Sequence, residues 1–446
     1  MPSPGSEHGV LAKLGLHRPE LRAWAMYDWA NSAYWTTVIA AVFPNYFNRV
    51  AASDLSATVA TTRFAWATTI AVAIVALITP VLGALADQAA MKKRMLGIFL
   101  AVGVLSTAGL WYVDRGDWVL ALLLFVVSNI GAAGSLSFSD SLLPHIASAD
   151  EVDRVSTSGY AIGYLGGGLL LAVNLVWIAK PAMFAIPDTQ TAVKLSFLSV
   201  AVWWAVFALP IFVRVPEPPA RHEAGDGAAG NVVVGAFIRL GHTFRELRKY
   251  RQALLLLVAF AVYNDGINTI IRMASTYGTV LGIPESSLFS AFLVVQFVGV
   301  PFAFLFGRLA VHLGTKNSIL LSLVVYTGIS VFGYFVTSAT HFFLMAFAVA
   351  TVQGGSQALS RSLFATMVPR HKSSEFFAFF GIFEKFAGIL GPMLFALAVE
   401  RMGSVRPAIV SVVVFFVVGG YLLTRVKVEE GQRIAREAER ASRGPS

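Results

Sequence analysis

Gly83–Lys93 reads GALADQAAMKK, and Gly307–Asn317 reads GRLAVHLGTKN. Each closes an apolar run of about 20 residues and turns at once into basic residues that a hydrocarbon interior would reject. The two stretches therefore mark equivalent ends of two membrane helices, in the same register in two parts of the chain. Two further echoes keep that spacing. YDWAN (Tyr27–Asn31) pairs with YNDGIN (Tyr263–Asn268), and SDSLLP (Ser139–Pro144) pairs with SRSLFATMVP (Ser360–Pro369). Echoes six apolar runs apart predict a duplicated bundle of the kind found in transporters built from parallel repeats.

Composition agrees with a lipid solvent. Of 446 residues, 56% are hydrophobic and 13% charged, with a mean hydropathy of +0.69, whereas a soluble surface needs roughly a quarter charged. Continuous rather than alternating apolar runs select helices over a barrel. Spans are expected at about 24–47, 64–86, 95–113, 118–143, 158–178 and 193–213, then at about 252–278, 287–310, 317–336, 341–368, 375–399 and 406–424. The expected fold is an all-α membrane protein with twelve transmembrane helices in two pseudo-symmetric six-helix bundles. Its expected domains are a cytoplasmic N-terminal segment (1–23), an N-terminal bundle (24–213), a cytoplasmic linker (214–251), a C-terminal bundle (252–424) and a cytoplasmic tail (425–446).

The net charge of +9 is scattered between apolar runs instead of gathered on one face, which excludes a nucleic-acid partner. Counting Lys and Arg in alternate loops gives roughly 24 on the side holding both termini and roughly 8 on the other, so both termini are expected in the cytoplasm, at the inner membrane. The first two dozen residues are too polar for a secretory signal, so the first span is expected to stay. Pro216–Gly230, PEPPARHEAGDGAAG, has the composition of a flexible linker. After it, Val234, Phe237, Ile238, Phe244 and Leu247 recur at helical spacing among basic residues, as in an amphipathic helix on a membrane surface. The chain has no cysteine, no P-loop and no HExxH pattern, and His145, His312 and His371 lie apart near loops. No enzyme, metal or cofactor is expected. The expected partners are a small-molecule solute and the lipid bilayer, with protons left open, and the chain is expected to be a monomer.

At this point the chain resembles the major facilitator superfamily. Gly83-x-Leu85-Ala86-Asp87 with Lys92 and Lys93 is similar to that superfamily's cytoplasmic gating motif. Ala90 stands where glycine is usual, and Val311 replaces the acid in the second copy. More specifically, YDWANSAYWTTVIAAVFPNYF (Tyr27–Phe47), YNDGINTII (Tyr263–Ile271), VQGGSQALSRSLFATMVP (Val352–Pro369) and EFFAFFGIFEKFAGILGP (Glu375–Pro392) resemble the bacterial branch of the vacuolar effluxer family. The fungal members of that family are autophagy-related permeases implicated in amino-acid efflux.

An ionised side chain at mid-membrane costs roughly 2.5 to 3.5 kcal/mol on insertion scales, so embedded charges need partners or a wet cavity. Asp28 and Asn31 are three apart, as are Asp265 and Asn268, so each pair shares a helix face. Tyr27, Tyr263 and Asn264 add hydrogen-bonding groups beside them. The resemblance implies that the first and seventh spans line a central cavity, where these residues would meet the solute or a proton. A packing role is the alternative for both acids, most of all for Asp28, roughly 9 Å past Arg22. Gly266 either loosens the seventh helix or packs.

Glu384 and Lys385 project about 100° apart. Lys385 is expected to be a counter-ion for an acid or a solute carboxylate, and Glu384 a proton-coupling group; an interhelical ion pair is the alternative. Gln353, Gln357 and Arg361 form a polar stripe on the tenth span, with Arg361 nearer a gate than a central site. The gate itself is expected from Gly83, Asp87, Lys92, Lys93, Arg94 and Asp140, against simple topological retention by the basic residues.

Together these readings predict a secondary active or facilitative transporter of a small solute, amino-acid efflux first, working by alternating access. One alternative is an exporter of amphipathic compounds, for which Trp203, Trp204 and the many phenylalanines would supply an aromatic cavity. Another is a membrane nutrient receptor that binds without moving its ligand.

Overall fold

Long apolar runs can satisfy their backbone in lipid by winding into helices, and every regular element among the described residues of the computed structural model is helical. The structure describes residues 11–12, 15–147, 152–218, 241, 244–369, 376, 380–381, 383–384 and 386–442; for 79–89, 144, 152–154, 156–157, 303–304, 307–308, 311 and 441–442 the backbone alone is described. The elements are α1 (Pro19–Ala33), α2 (Ala57–Ala89), α3 (Lys92–Gly109), α4 (Trp118–Ile146), α5 (Val152–Ala179), α6 (Thr189–Arg214), α7 (Arg251–Val280), α8 (Glu285–Leu313), α9 (Thr315–Tyr334), α10 (Ala339–Ala365), α11 (Leu390–Met402), α12 (Val405–Arg425) and α13 (Val428–Ser442).

Ten helices among the described residues are long and apolar enough to cross a membrane. The first and eleventh expected spans are not regular single helices. Beyond α1 the chain stays helical but widens into π turns at Tyr34–Ala41 and Phe47–Ala51, either side of Val42–Tyr46. Pro44 supplies a cause, because it lacks an N–H and its ring crowds the carbonyl one turn earlier. The eleventh span is interrupted just before Leu390, where Gly388 has φ +117°.

Contacts divide the chain into two compact units, residues 1–54 with 77–233, and residues 55–76 with 234–446. One of these divisions falls between 233 and 234, and the first part of α2 groups with the second unit. Thr58 Oγ1 there donates to the Gly403 carbonyl at 3.4 Å.

In the first unit α1 and the turns after it contribute Leu21, Trp24, Tyr27, Tyr34, Val38 and Phe43 to the core. Glycines of α5 allow the approach: a side chain at Gly163 would meet the Asp28 carbonyl at 3.2 Å, at Gly166 the Trp29 ring at 2.7 Å, and at Gly167 the Ser32 carbonyl at 2.9 Å. Tyr34 and Ser128 hydroxyls are hydrogen-bonded at 2.8 Å, and Phe43 stacks on Phe125 with centroids 4.9 Å apart.

In the second unit α7 packs on α12, where Gly419 makes room for Tyr263 and Gly266 for the Phe416 ring. α7 runs unbroken through Gly266, so this glycine packs. Of the expected linker helix, 244–247 are helical and Arg248 lies over the Phe244 ring at 5.5 Å; Val234, Phe237 and Ile238 lie outside the described residues. The tail helix α13 docks on the ends of α7 and α10. The Lys427 N–H donates to Gln252 Oε1 at 2.9 Å, and Gln432 Nε2 donates to Thr366 Oγ1 at 3.1 Å.

Candidate functional site

The motif YNDGIN places its polar side chains on the buried face of α7, where each finds a partner. The Tyr263 and Ser360 hydroxyls are hydrogen-bonded. Asn264 Oδ1 accepts from Gln357 Nε2 at 3.3 Å. The α7 motif and the α10 stripe are therefore one network. Gln353, one turn before Gln357, has its Oε1 buried without a partner in the protein, whereas Arg361, one turn after, is exposed.

Asp265 and Asn268 reach the interruption in the eleventh span. A helix that starts inside a bundle leaves its first N–H groups without intrahelical acceptors. Here Asp265 Oδ2 accepts from the Leu390 N–H at 3.0 Å, and Oδ1 accepts from the Gly391 N–H at 2.8 Å. A negative charge at the positive end of α11 adds to those bonds. On the other side of the interruption, Asn268 Nδ2 donates to the Ala387 carbonyl at 3.3 Å. Glycine is needed at Gly391, because a methyl there would collide with Thr269 Oγ1 and approach Asp265 Oδ1. Glu384 is half-buried in a helical turn just before the break, and Lys385 lies outside the described residues.

The first-unit copy of the motif is arranged differently. Tyr27 is fully buried, with Ser135, Trp204 and Asn31 around its hydroxyl, none in hydrogen-bonding geometry. Asn31 Oδ1 accepts from Trp35 Nε1 at 2.5 Å, and its Nδ2 is buried without a protein partner. Asp28 is half-buried, its carboxylate set against Gly159 of the unbroken α5.

Lys92 and Lys93, expected at a gate, close helix ends within the first unit. Lys93 Nζ donates to the carbonyls of Phe212 at 2.8 Å and Val215 at 2.7 Å, at the end of α6. Lys92 Nζ reaches the Ser141 carbonyl at 3.3 Å and His145 Nε2 at 2.9 Å, at the end of α4. In return Glu217 accepts from the backbone N–H groups of Lys92 at 2.7 Å and Lys93 at 2.9 Å, capping α3. Arg94 and Asp140 are exposed; the side chains of Gly83 and Asp87 lie outside the described residues. Sequence reasoning missed Ser360 and Glu217. Ser356 and Ser360, four apart on α10, gave a signal for the first, whereas Glu217 sits in a segment that reads only as linker.

Helices of this length, with polar clusters buried on α1, α7 and α10, invite comparison with known membrane proteins. A model of the vacuole effluxer Atg22-like family matches residues 17–436. The chain belongs to that family. Among its Atg22-like relatives, YxiO of Bacillus subtilis (strain 168), described as an uncharacterized MFS-type transporter, is 36% identical over 417 residues, covering 93% of this chain and 96% of its own. Autophagy-related protein 22 of Saccharomyces cerevisiae is 24% identical over 399 residues, 78% of this chain and 74% of its own.

Solved structures show the same fold at low identity. A mutant of the nucleoside transporter NupG has a TM-score of 0.66 at 13% identity, covering 91% of this chain and 99% of its own. The D-xylose-proton symporter has a TM-score of 0.64 at 14% identity, with 92% and 98% covered. This Atg22-like chain thus has the major facilitator fold and is a multi-pass membrane transporter of that type.

Proposed function

We propose that this Atg22-like transporter moves amino acids or similar small zwitterions outward across the inner membrane by alternating access. The observation that carries the reading is a set of buried polar atoms without partners in the protein: Tyr27 Oη and Asn31 Nδ2 on α1, and Gln353 Oε1 on α10. Leaving such a group unpaired costs about 1 to 3 kcal/mol. A solute carrying both a carboxylate and an ammonium supplies the missing acceptors and donors. The family's description as effluxers, together with the resemblance to permeases implicated in amino-acid efflux, supports the direction and the solute class.

In this reading Tyr27, Asp28 and Asn31 of the first unit are solute-contacting or coupling residues, and in the second unit Tyr263, Asn264, Asp265 and Asn268 and the stripe Gln353, Gln357 and Arg361 have the same role. Lys385 is the counter-charge for the solute carboxylate. Glu384 is the better proton-coupling candidate, because both Asp265 oxygens are held by backbone N–H groups. Gly83, Asp87, Lys92, Lys93, Arg94 and Asp140 form the cytoplasmic gate region, with both termini in the cytoplasm. The protein works as a monomer.

Thermal unfolding of the detergent-solubilised protein with single amino acids tests the solute class. A ligand that binds only the folded state adds about 2.7 kcal/mol at a hundred times its Kd, so at least one amino acid should raise the melting temperature. Gln353→Ala and Lys385→Ala should each remove that rise. A second reading, export of amphipathic compounds, is favoured by the aromatic cluster in which Trp29 stacks on Trp203 at 5.4 Å and Trp203 meets Phe207 at 4.5 Å. A shift with amphipathic cations and none with any amino acid would replace the first reading by the second.

A further inference from the structure

The break before α11 separates two sets of backbone groups that a continuous helix would have paired, carbonyls at the end of one segment and N–H groups at the start of the next. Two side chains of α7, one turn apart, serve both sets. Asp265 accepts from Leu390 and Gly391 beyond the break, and Asn268 donates to Ala387 before it. The residue types match these bonds, since only an acceptor can take N–H groups, and the carboxamide of asparagine supplies an N–H for the carbonyl. Gly388 between them has φ +117°, a conformation that L side chains resist, yet a methyl there would lie 3.7 Å from Asn268 Nδ2, in ordinary contact. The backbone shape, not crowding, therefore selects glycine at this point.

We infer that Asp265 and Asn268 are positioning residues that act on transport through α11: together they clasp a hinge at Ala387–Ile389, and its opening and closing is a step of the transport cycle. The inference rests on the transport reading but not on the identity of the solute. A continuous helix would need no clasp, and a break held only by packing would not need matched side chains on either side of it. The first unit supplies the contrast. Its corresponding acid, Asp28, faces glycines of an unbroken α5, so the same motif carries no hinge there.

Spin labels on the full chain in liposomes test this directly, and the absence of native cysteine confines labels to introduced sites. Phe386→Cys and Met402→Cys, both exposed, flank the break and would be about 24 Å apart along a straight helix. Two distance populations are expected in the otherwise wild-type protein. Asp265→Asn and Asn268→Ala should each change their ratio roughly tenfold, and Asp265→Glu, which keeps two acceptor oxygens, should restore it. Gly388→Ala should drive the distance toward the straight-helix value with both clasp residues retained, so the test survives if Asp265→Asn fails to fold.

A single distance, the same in every variant, overturns the hinge. Altered populations with unaltered amino-acid efflux, measured on the same samples, overturn its part in transport. If the wild type moves no amino acid, the solute class fails while the distances still decide the hinge.

Discussion

At Gly391 one methyl group decides between fit and collision, since it would meet the Thr269 hydroxyl and the Asp265 carboxylate. Overpacking of this kind costs about 1 to 3 kcal/mol, so Gly391→Ala should lower the melting temperature in detergent. Gly328 on α9 is the opposite case. It is exposed, with nothing within 4 Å of an added methyl, and Gly328→Ala should raise the melting temperature by removing a helix penalty of about 0.5 to 1 kcal/mol. Equal responses of the two variants would contradict the packing assigned to Gly391. The same-face pairing of Asp265 with Asn268 was legible from their spacing. Their partners were not, because these are backbone groups 125 and 119 residues away, made available by a break that hydropathy does not mark. The carbonyl partners of Lys92 and Lys93 were not legible for a similar reason: a sequence does not show which carbonyls a lysine will reach.

Both departures from regular helix lie next to polar motifs. α1 leads into π turns at Tyr34, three residues after Asn31, and α11 starts at the Asp265 carboxylate. Their existence was legible from length and apolarity, but their winding was not, since π turns and breaks depend on tertiary partners. The tail offers a separate test. In α13, Gly431 lies 3.1 Å, measured from an added methyl, from Gln252 and Met367, so Gly431→Leu should lift the helix from α7 and α10. Trypsin cleavage at Arg433 and Arg436 should then accelerate. Unchanged cleavage would show that the packing at Gly431 does not hold the helix in place.

For the whole molecule, three sequence echoes and the run of apolar spans were enough to expect a duplicated helical transporter, because lipid leaves few backbone solutions. The solute was not legible, since it depends on a few polar atoms whose partners only the folded chain reveals. Duplication also hid an asymmetry, for one copy of the acid-asparagine motif meets an unbroken helix and the other a broken one. Asp265→Asn removes an acceptor from a buried backbone N–H, a loss of about 1.5 to 3 kcal/mol for a charge-assisted bond. Asp28→Asn, at a half-buried position against an unbroken helix, should lower the melting temperature less. An equal or larger loss for Asp28→Asn would contradict that asymmetry.

The most direct measurement of solute movement is efflux from liposomes preloaded with radiolabelled amino acids, with and without reconstituted protein. Protein-dependent, saturable efflux of at least one amino acid is the predicted result, slowed by Gln353→Ala. Efflux no faster than from protein-free liposomes for every amino acid would contradict the account.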